Sequence, residues 1–391
     1  MKTIQLSLAS LVGILLLSIS LGACSQKNAG SHNEADATSE VDSSILISPQ
    51  YARGFTVKYL KDGIRLVEVC DPQTDEDERM PIGYAFALVP QGSKAEAPEG
   101  YERVEVPIRS TIVMTSLQLS NFTVLNAHDY IKGITGTKNL YNADILQRVK
   151  DGRIQKIGME GDFDTELILA ANPDVIFISP FKRGGYDTIK ETGITLIPHL
   201  GYKEATPLAQ AEWIKFIAMF IGREAEANAV FDGIAQRYNT LKEKVNAQSP
   251  NRPTVFSGEM HGGNWYAVGG KNHLAQMFRD AGADYIIHDD NTGGVNLEYE
   301  QLYATAANAD YWRILNSYPG DFSYDALKAS EPRNIHFKAF RERHVIYCNM
   351  KQTPYYESAP VEPDQVLADL VAIFHPELLP DHEGKYYKLL P

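Results

Sequence analysis

The feature that most constrains this chain is an interruption in an otherwise regular pattern. From residue 106 to about 205, the runs "IRSTIVM", "YIKGITG", "KIGME", "DVIFISP" and "TLIPH" alternate with helical patches, as in a parallel α/β sheet. The alternation resumes after "SPNRP" with "TVFSGEM", "WYAVGG", "DYIIH", "DYWRIL" and "HVIYCN". Between the two runs, two helices follow each other with no strand. Thr206 and Pro207 form a cap with proline at the first helical position. They open "LAQAEWIKFIAMFIG", which is apolar on most faces and is expected to be buried. The second helix, 223–247, spaces Ala227, Val230, Phe231, Ile234, Tyr238, Leu241 and Val245 as one apolar stripe. At 1.5 Å per residue it predicts a helix of about 37 Å. The fold class is therefore α/β: two Rossmann-like lobes of similar size and order, 106–205 and 251–391, joined by linking helices at 206–250.

Residues 45–105 have a different texture and predict an extra N-terminal β-rich subdomain. "FTVKYL", "IRLVEVC" and "YAFALVP" are short strand-like runs, and Asp62-Gly63 between the first two is a hairpin signal. "PQTDEDERMP" reads as a solvated acidic turn. At the start of the chain, Lys2, an apolar stretch and "LGAC" make residues 1–23 a lipoprotein signal peptide, with Cys24 as the lipidated residue. Residues 24–44 are polar, lack aromatics and predict a flexible tether.

The 391 residues carry a formal net charge of −13, and no basic stripe is available for a nucleic-acid backbone. Cys70 and Cys348 lack metal or redox spacing and read as inert thiols, with a disulfide between them as the alternative. There is no GxSxG elbow, no GxxxxGK[ST] loop, no HExxH and no GxGxxG after a strand, so no enzyme motif is present. The histidines are dispersed without helical ligand spacing. A bare metal ion would need ligands gathered from distant loops.

The best binding signal is "EMHGGNWY". His261 precedes a Gly pair that permits close backbone approach, and Trp265 and Tyr266 supply flat faces with polar edges, in a cleft or in a core. Lys182, Arg183, Tyr186, Tyr202, Lys351 and Tyr356 fall in loops after strands, a cationic and phenolic set suited to an anionic, partly apolar ligand. A further feature is a small device that occurs twice. "TELILAANPDVIFIS" and "YEQLYATAANADYWRIL" each set a glutamate, Glu166 or Glu300, at the start of a helix that leads through Ala-Asn and an Asp into a strand.

With "ETGITLIP", "EATPLAQAEWIKFI" and "NWYAVGGKNHLAQMFRDAGADY", these segments make residues 106 to 375 resemble the class III substrate-binding proteins of ABC importers, which carry ferric siderophores, haem or cobalamin. The resemblance implies two lobes on a rigid helix, a ligand held between them and no catalysis or resident cofactor. It implies an iron chelate as cargo, a ferric siderophore first, with cobalamin and haem as rivals. By the same resemblance, Glu166 and Glu300 would dock on the two halves of a permease dimer that works with its ATPase. The protein would be a monomer, anchored by lipid in a bacterial cell envelope and facing the periplasm. A direct metal-ion binder and a cleft enzyme are the readings from other classes.

Overall fold

The computed structural model describes residues 43–74, 83–138, 140–159, 162–180 and 186–391. The leader, Cys24 and nearly all of the tether lie outside the described residues, as does most of the acidic turn.

The first lobe is built on five parallel strands in the spatial order Thr195–Pro198, Val175–Ile178, Thr111–Val113, Ile131–Ile134 and Gln155–Lys156. Val175–Ile178 is buried at every position, as expected of an unbroken apolar run covered on both faces. The second lobe orders its strands Asp284–Tyr285, Thr254–Ser257, Tyr311–Asn316 and Val345–Asn349, all parallel, with Lys388–Leu389 antiparallel at one edge. The lobes therefore differ in strand order, contrary to the expectation of matching lobes. "WYAVGG" also leaves the parallel sheet. Asn264–Val268 instead joins Glu259–His261 and Gly294–Leu297 in a separate antiparallel sheet.

The repeated device has a structural cause. Helix Thr165–Ala171 feeds strand Val175–Ile178, and helix Tyr299–Ala306 feeds strand Tyr311–Asn316. Each of those strands pairs with the first strand of its lobe. The Asp ahead of each strand makes the stitch. Asp174 Oδ2 accepts from the backbone N–H groups of Arg109 and Ser110 at 2.6 and 3.0 Å. Asp310 Oδ2 accepts from the N–H and the hydroxyl of Thr254, both at 2.8 Å.

Helix Trp213–Ile221 is buried at every residue, and the linking helix Glu224–Gln248 follows it. The N-terminal sheet consists of Phe55–Tyr59, Arg65–Val69, Tyr84–Pro90 and Glu102–Val106 in that spatial order. Its hairpin turns through Asp62 and Gly63 at φ 62° and 74°, the two left-handed residues that an Asp-Gly pair supplies cheaply. This sheet shares the central core: Phe55 meets Trp213 at 5.1 Å and Phe216 at 5.3 Å, edge to face.

Two buried carboxylates hold it there. Glu212 accepts from the backbone N–H groups of Gln50, Tyr51 and Ala52 at 2.7–3.0 Å and pairs with Lys215 Nζ at 3.0 Å. Glu204 accepts from the N–H groups of Arg53 and Gly54 and from Trp213 Nε1 at 2.9–3.2 Å. Burial raises the Glu204 carboxyl above the usual carboxylate range, and these bonds oppose that rise. Among the described residues, Glu212→Ala leaves the buried Lys215 ammonium with the Phe231 ring face at 4.4 Å and the distant Asp232 carboxylate at 3.9 Å. We expect a loss of about 3 kcal/mol in urea unfolding, accompanied by new proteolytic cuts near residues 46–54.

His199 lies in the same core, with its ring centroid 4.5 Å from that of Trp213. Complete burial pushes its imidazole down to about 3. The unfolded chain takes up this proton below about pH 6.5 and the folded protein does not, so stability falls as pH drops from about 6.5 toward 3. In His199→Gln, this part of the acid sensitivity, up to about 1.4 kcal/mol per pH unit, should vanish from chemical unfolding curves measured between pH 7 and 4.

Candidate ligand-binding site

A cavity of about 540 Å³ lies where the two lobes meet. The first lobe contributes Met114 and Ser179, each directly after a parallel strand, together with Thr115, Tyr141 and Tyr202. The carboxyl ends of parallel strands are where open α/β sheets receive ligands. The second lobe contributes His273 and Met277 from helix His273–Asp280, Met350 just after strand Val345–Asn349, and Tyr355 and Tyr356. Gln210, from the short helix Pro207–Ala211, forms part of the wall.

Among the described residues, the lining holds methionines, tyrosines, Thr, Ser and Gln but no Asp, Glu, Lys or Arg. Burial, with a smaller push from Arg313, drives His273 down to about 4, so its imidazole is neutral at physiological pH. Among the described residues, its buried Nδ1 has no hydrogen-bond partner. Also among the described residues, no group of three or more His, Cys, Asp or Glu is placed to hold a metal ion.

A strap from the first lobe crosses to the second at the cavity. Glu357, buried at 6% exposure, accepts from the N–H of Tyr141 at 2.6 Å and of Asn142 at 3.2 Å. The Tyr141 hydroxyl donates to the carbonyl of Met350. Asn142 also caps helix Ala143–Lys150 through its side chain, so the strap is continuous with a regular element of the first lobe.

Of the sequence-derived ligand residues, Tyr202 and Tyr356 line the cavity. Lys182 and Arg183 lie outside the described residues. Five others require correction. Trp265 is fully buried, its Nε1 donates to the carbonyl of Ser257 at 2.9 Å, and its ring packs among Phe256, Trp312 and Phe337. It is a core residue, because successive residues on strand Asn264–Val268 face opposite ways. Tyr266 consequently points outward, 55% exposed, and is not part of the lining. His261 is exposed on the neighbouring strand, opposite Asn264. Gly262 and Gly263, at φ 58° and 91°, make a tight hairpin turn there rather than a ligand loop. Tyr186 is buried under Ser179, and Lys351 is exposed outside the lining.

Sequence reasoning missed Tyr141, Tyr355 and the methionines. The usable signal was position, since Met114, Ser179 and Met350 all directly follow parallel strands.

The two docking candidates are both exposed in the first turn of a helix. Glu166 does not cap its helix, because Asp164 does so by accepting from the N–H of Leu167. Glu300 pairs at 2.9 Å with Arg333, which also stacks on Tyr299 at 3.9 Å.

A family model described as periplasmic binding protein matches residues 114–351. The chain belongs to this family. It is 26% identical to an uncharacterized lipoprotein of Methanocaldococcus jannaschii, over 96% of this chain and 94% of the relative. A second lipoprotein of that organism is 25% identical, over 78% and 80%. The fold is shared with a TroA-like periplasmic binding protein from Veillonella parvula at TM-score 0.54 and 18% identity, over 73% of this chain and 95% of that one. It is also shared with a periplasmic heme binding protein from Pseudomonas aeruginosa at TM-score 0.55 and 19% identity, over 69% and 93%. A protein of an ABC-type Fe3+-hydroxamate transport system from Saccharomonospora viridis aligns at TM-score 0.52 and 18% identity, over 69% and 94%. Among the described residues, no helix is long and apolar enough to cross a membrane.

Trp265→Ala should cost about 3–5 kcal/mol in unfolding free energy, as expected for emptying a packed aromatic site. The folded fraction should keep its ligand affinity in a titration run alongside.

Proposed function

We propose that this protein is the substrate-binding component of an ABC importer. It takes a metal chelate, a ferric siderophore first, between its lobes and delivers it to a permease. Haem and cobalamin remain alternatives of the same kind. The observation that carries this reading is the interlobe cavity itself. Its volume of about 540 Å³ falls within the range of small-molecule sites, and its described lining is aromatic, thioether and neutral polar. Such a wall suits a ligand whose metal is already wrapped in organic donors. The heme-binding and Fe3+-hydroxamate neighbours in fold, and the lipoprotein relatives, support the same reading.

In this reading, Cys24 carries the lipid that holds the protein to the membrane, and residues 24–44 let the body turn above it. Glu166 and Glu300 present one carboxylate from each lobe to matching cationic pockets of the permease dimer. Each contact would raise the effective concentration for the other.

The direct test is titration of the purified full chain with a ferric hydroxamate, a ferric catecholate, haem and cobalamin, read by quenching of tyrosine and tryptophan fluorescence. Saturable one-to-one binding of one chelate, with the other classes weak, is the expected result. Tight binding of bare zinc or manganese without any chelator, or turnover of a bound chelate, would displace this reading. In cells, Glu166→Lys with Glu300→Lys should abolish uptake of that chelate while leaving its affinity and the melting temperature nearly unchanged. Each single change should give a partial defect.

A further inference from the structure

A buried cation lies directly behind the cavity wall. Arg313, on strand Tyr311–Asn316, is 6% exposed and forms no ion pair among the described residues. A guanidinium at such depth ordinarily faces a carboxylate. Here Nε and Nη2 instead both donate to the hydroxyl oxygen of Tyr387, Nε at 3.0 Å. Tyr387 in turn donates to the hydroxyl oxygen of Tyr355 at 3.0 Å.

The direction of this relay is fixed by chemistry. Arginine has donors and no acceptor, so the Tyr387 proton cannot point back at it and must point forward to Tyr355. Tyr355 thus receives a hydrogen bond on its oxygen, and its own proton has no acceptor among the described residues. Tyr355 lines the cavity. Its ring is held edge-on by Tyr356 at 5.4 Å, Tyr386 at 5.8 Å and Tyr387 at 5.7 Å, which fixes the position of the hydroxyl oxygen. Burial raises the Tyr355 phenol above its ordinary value, with Arg313 opposing the rise, so the group is protonated and a donor at neutral pH. The positive charge behind the chain of hydroxyls polarises this donor, and a low-dielectric surround strengthens it.

We propose that Tyr355 is where the cavity binds an anionic oxygen of its ligand, a catecholate, hydroxamate or carboxylate oxygen, with Arg313, adjacent to the Tyr387 and Tyr355 hydroxyls, as the positioning residue behind it. This deepens the reading of the cavity as a chelate site and rests on it only for the identity of the cargo. The neutral wall then discriminates by charge without a charged side chain in contact.

The test uses a metal-free probe so that it stands apart from the chelate titration. The probe 4-nitrocatechol is a coloured phenolate near neutral pH, and its absorption band shifts when the phenolate oxygen is hydrogen-bonded. 4-Nitroanisole is a neutral nitroarene of similar size that carries no ionisable hydroxyl. The full chain should bind 4-nitrocatechol with a band shift and in preference to 4-nitroanisole. Tyr355→Phe should lose the shift and about tenfold or more in affinity for 4-nitrocatechol and bind 4-nitroanisole as before, while staying cooperatively folded with a lowered melting temperature, because the Tyr387 hydroxyl proton loses its acceptor. Arg313→Met should reproduce the loss; because it removes a buried charge that Tyr387 depends on, Tyr355→Phe is the deciding variant. Equal affinity and an equal band in Tyr355→Phe and the unaltered protein, no binding of 4-nitrocatechol to the unaltered protein, or preference for the anisole would each overturn the assignment. Failure of every ferric chelate to bind, with the 4-nitrocatechol result intact, would overturn the transport reading and leave this one standing.

Discussion

The architecture depends on one buried carboxylate. Glu212 has no solvent exposure, and a carboxylate so placed costs several kcal/mol unless its lone pairs are filled. Three backbone N–H groups from residues 50–52 and the Lys215 ammonium fill them. Those donors come from the entrance to the β-rich subdomain and from the start of the buried helix, so satisfying the charge also fixes where the subdomain sits. Glu204 repeats the arrangement at the next two residues of the same segment, Arg53 and Gly54. Gly54 is required there, because a Cβ would come within 2.6 Å of the Trp213 ring. Tyr202 and Gln210, which flank Glu204 in sequence, line the cavity. The N-terminal subdomain therefore helps brace one wall of the binding site.

Much of this fold was legible because it rests on local periodicity. The run that became Trp213–Ile221, apolar on most faces, was expected to be buried, and the stripe from Ala227 to Val245 to be an amphipathic helix. The Asp62-Gly63 hairpin followed from backbone sterics alone. The repeated Glu-led device was visible as a pattern, but its most constrained member was not. The glutamates stand out in the sequence, whereas Asp174 and Asp310 are the residues that tie each lobe's strands together. A side chain that accepts from the backbone of a segment 56 or 65 residues away leaves no periodic trace.

The site was poorly legible for a related reason. A cavity between lobes collects single residues from the ends of many elements, and sequence proximity is no guide to that gathering. Trp265 and Tyr266 looked like a pair because they are adjacent, yet adjacency on a strand places two side chains on opposite faces. Gly262 and Gly263 looked like a ligand loop, yet the left-handed conformations they supply are spent on a turn. Tyr141 and Glu357 are 216 residues apart and meet across the cleft.

The placement of charge gives this cleft its character. A cationic side chain lining an open cavity would be solvated when empty, and a ligand would have to strip that water before gaining the ion pair. Arg313 is already desolvated and already hydrogen-bonded, so its desolvation cost was met in folding and does not recur at each binding event. What the ligand meets is a neutral hydroxyl whose strength is set from behind. A contact of that kind favours an anionic oxygen without trapping it as a direct buried salt bridge would. In the proposed role such a balance suits release, and Glu357, which accepts from the backbone N–H groups of Tyr141 and Asn142, ties the two lobes at the cleft.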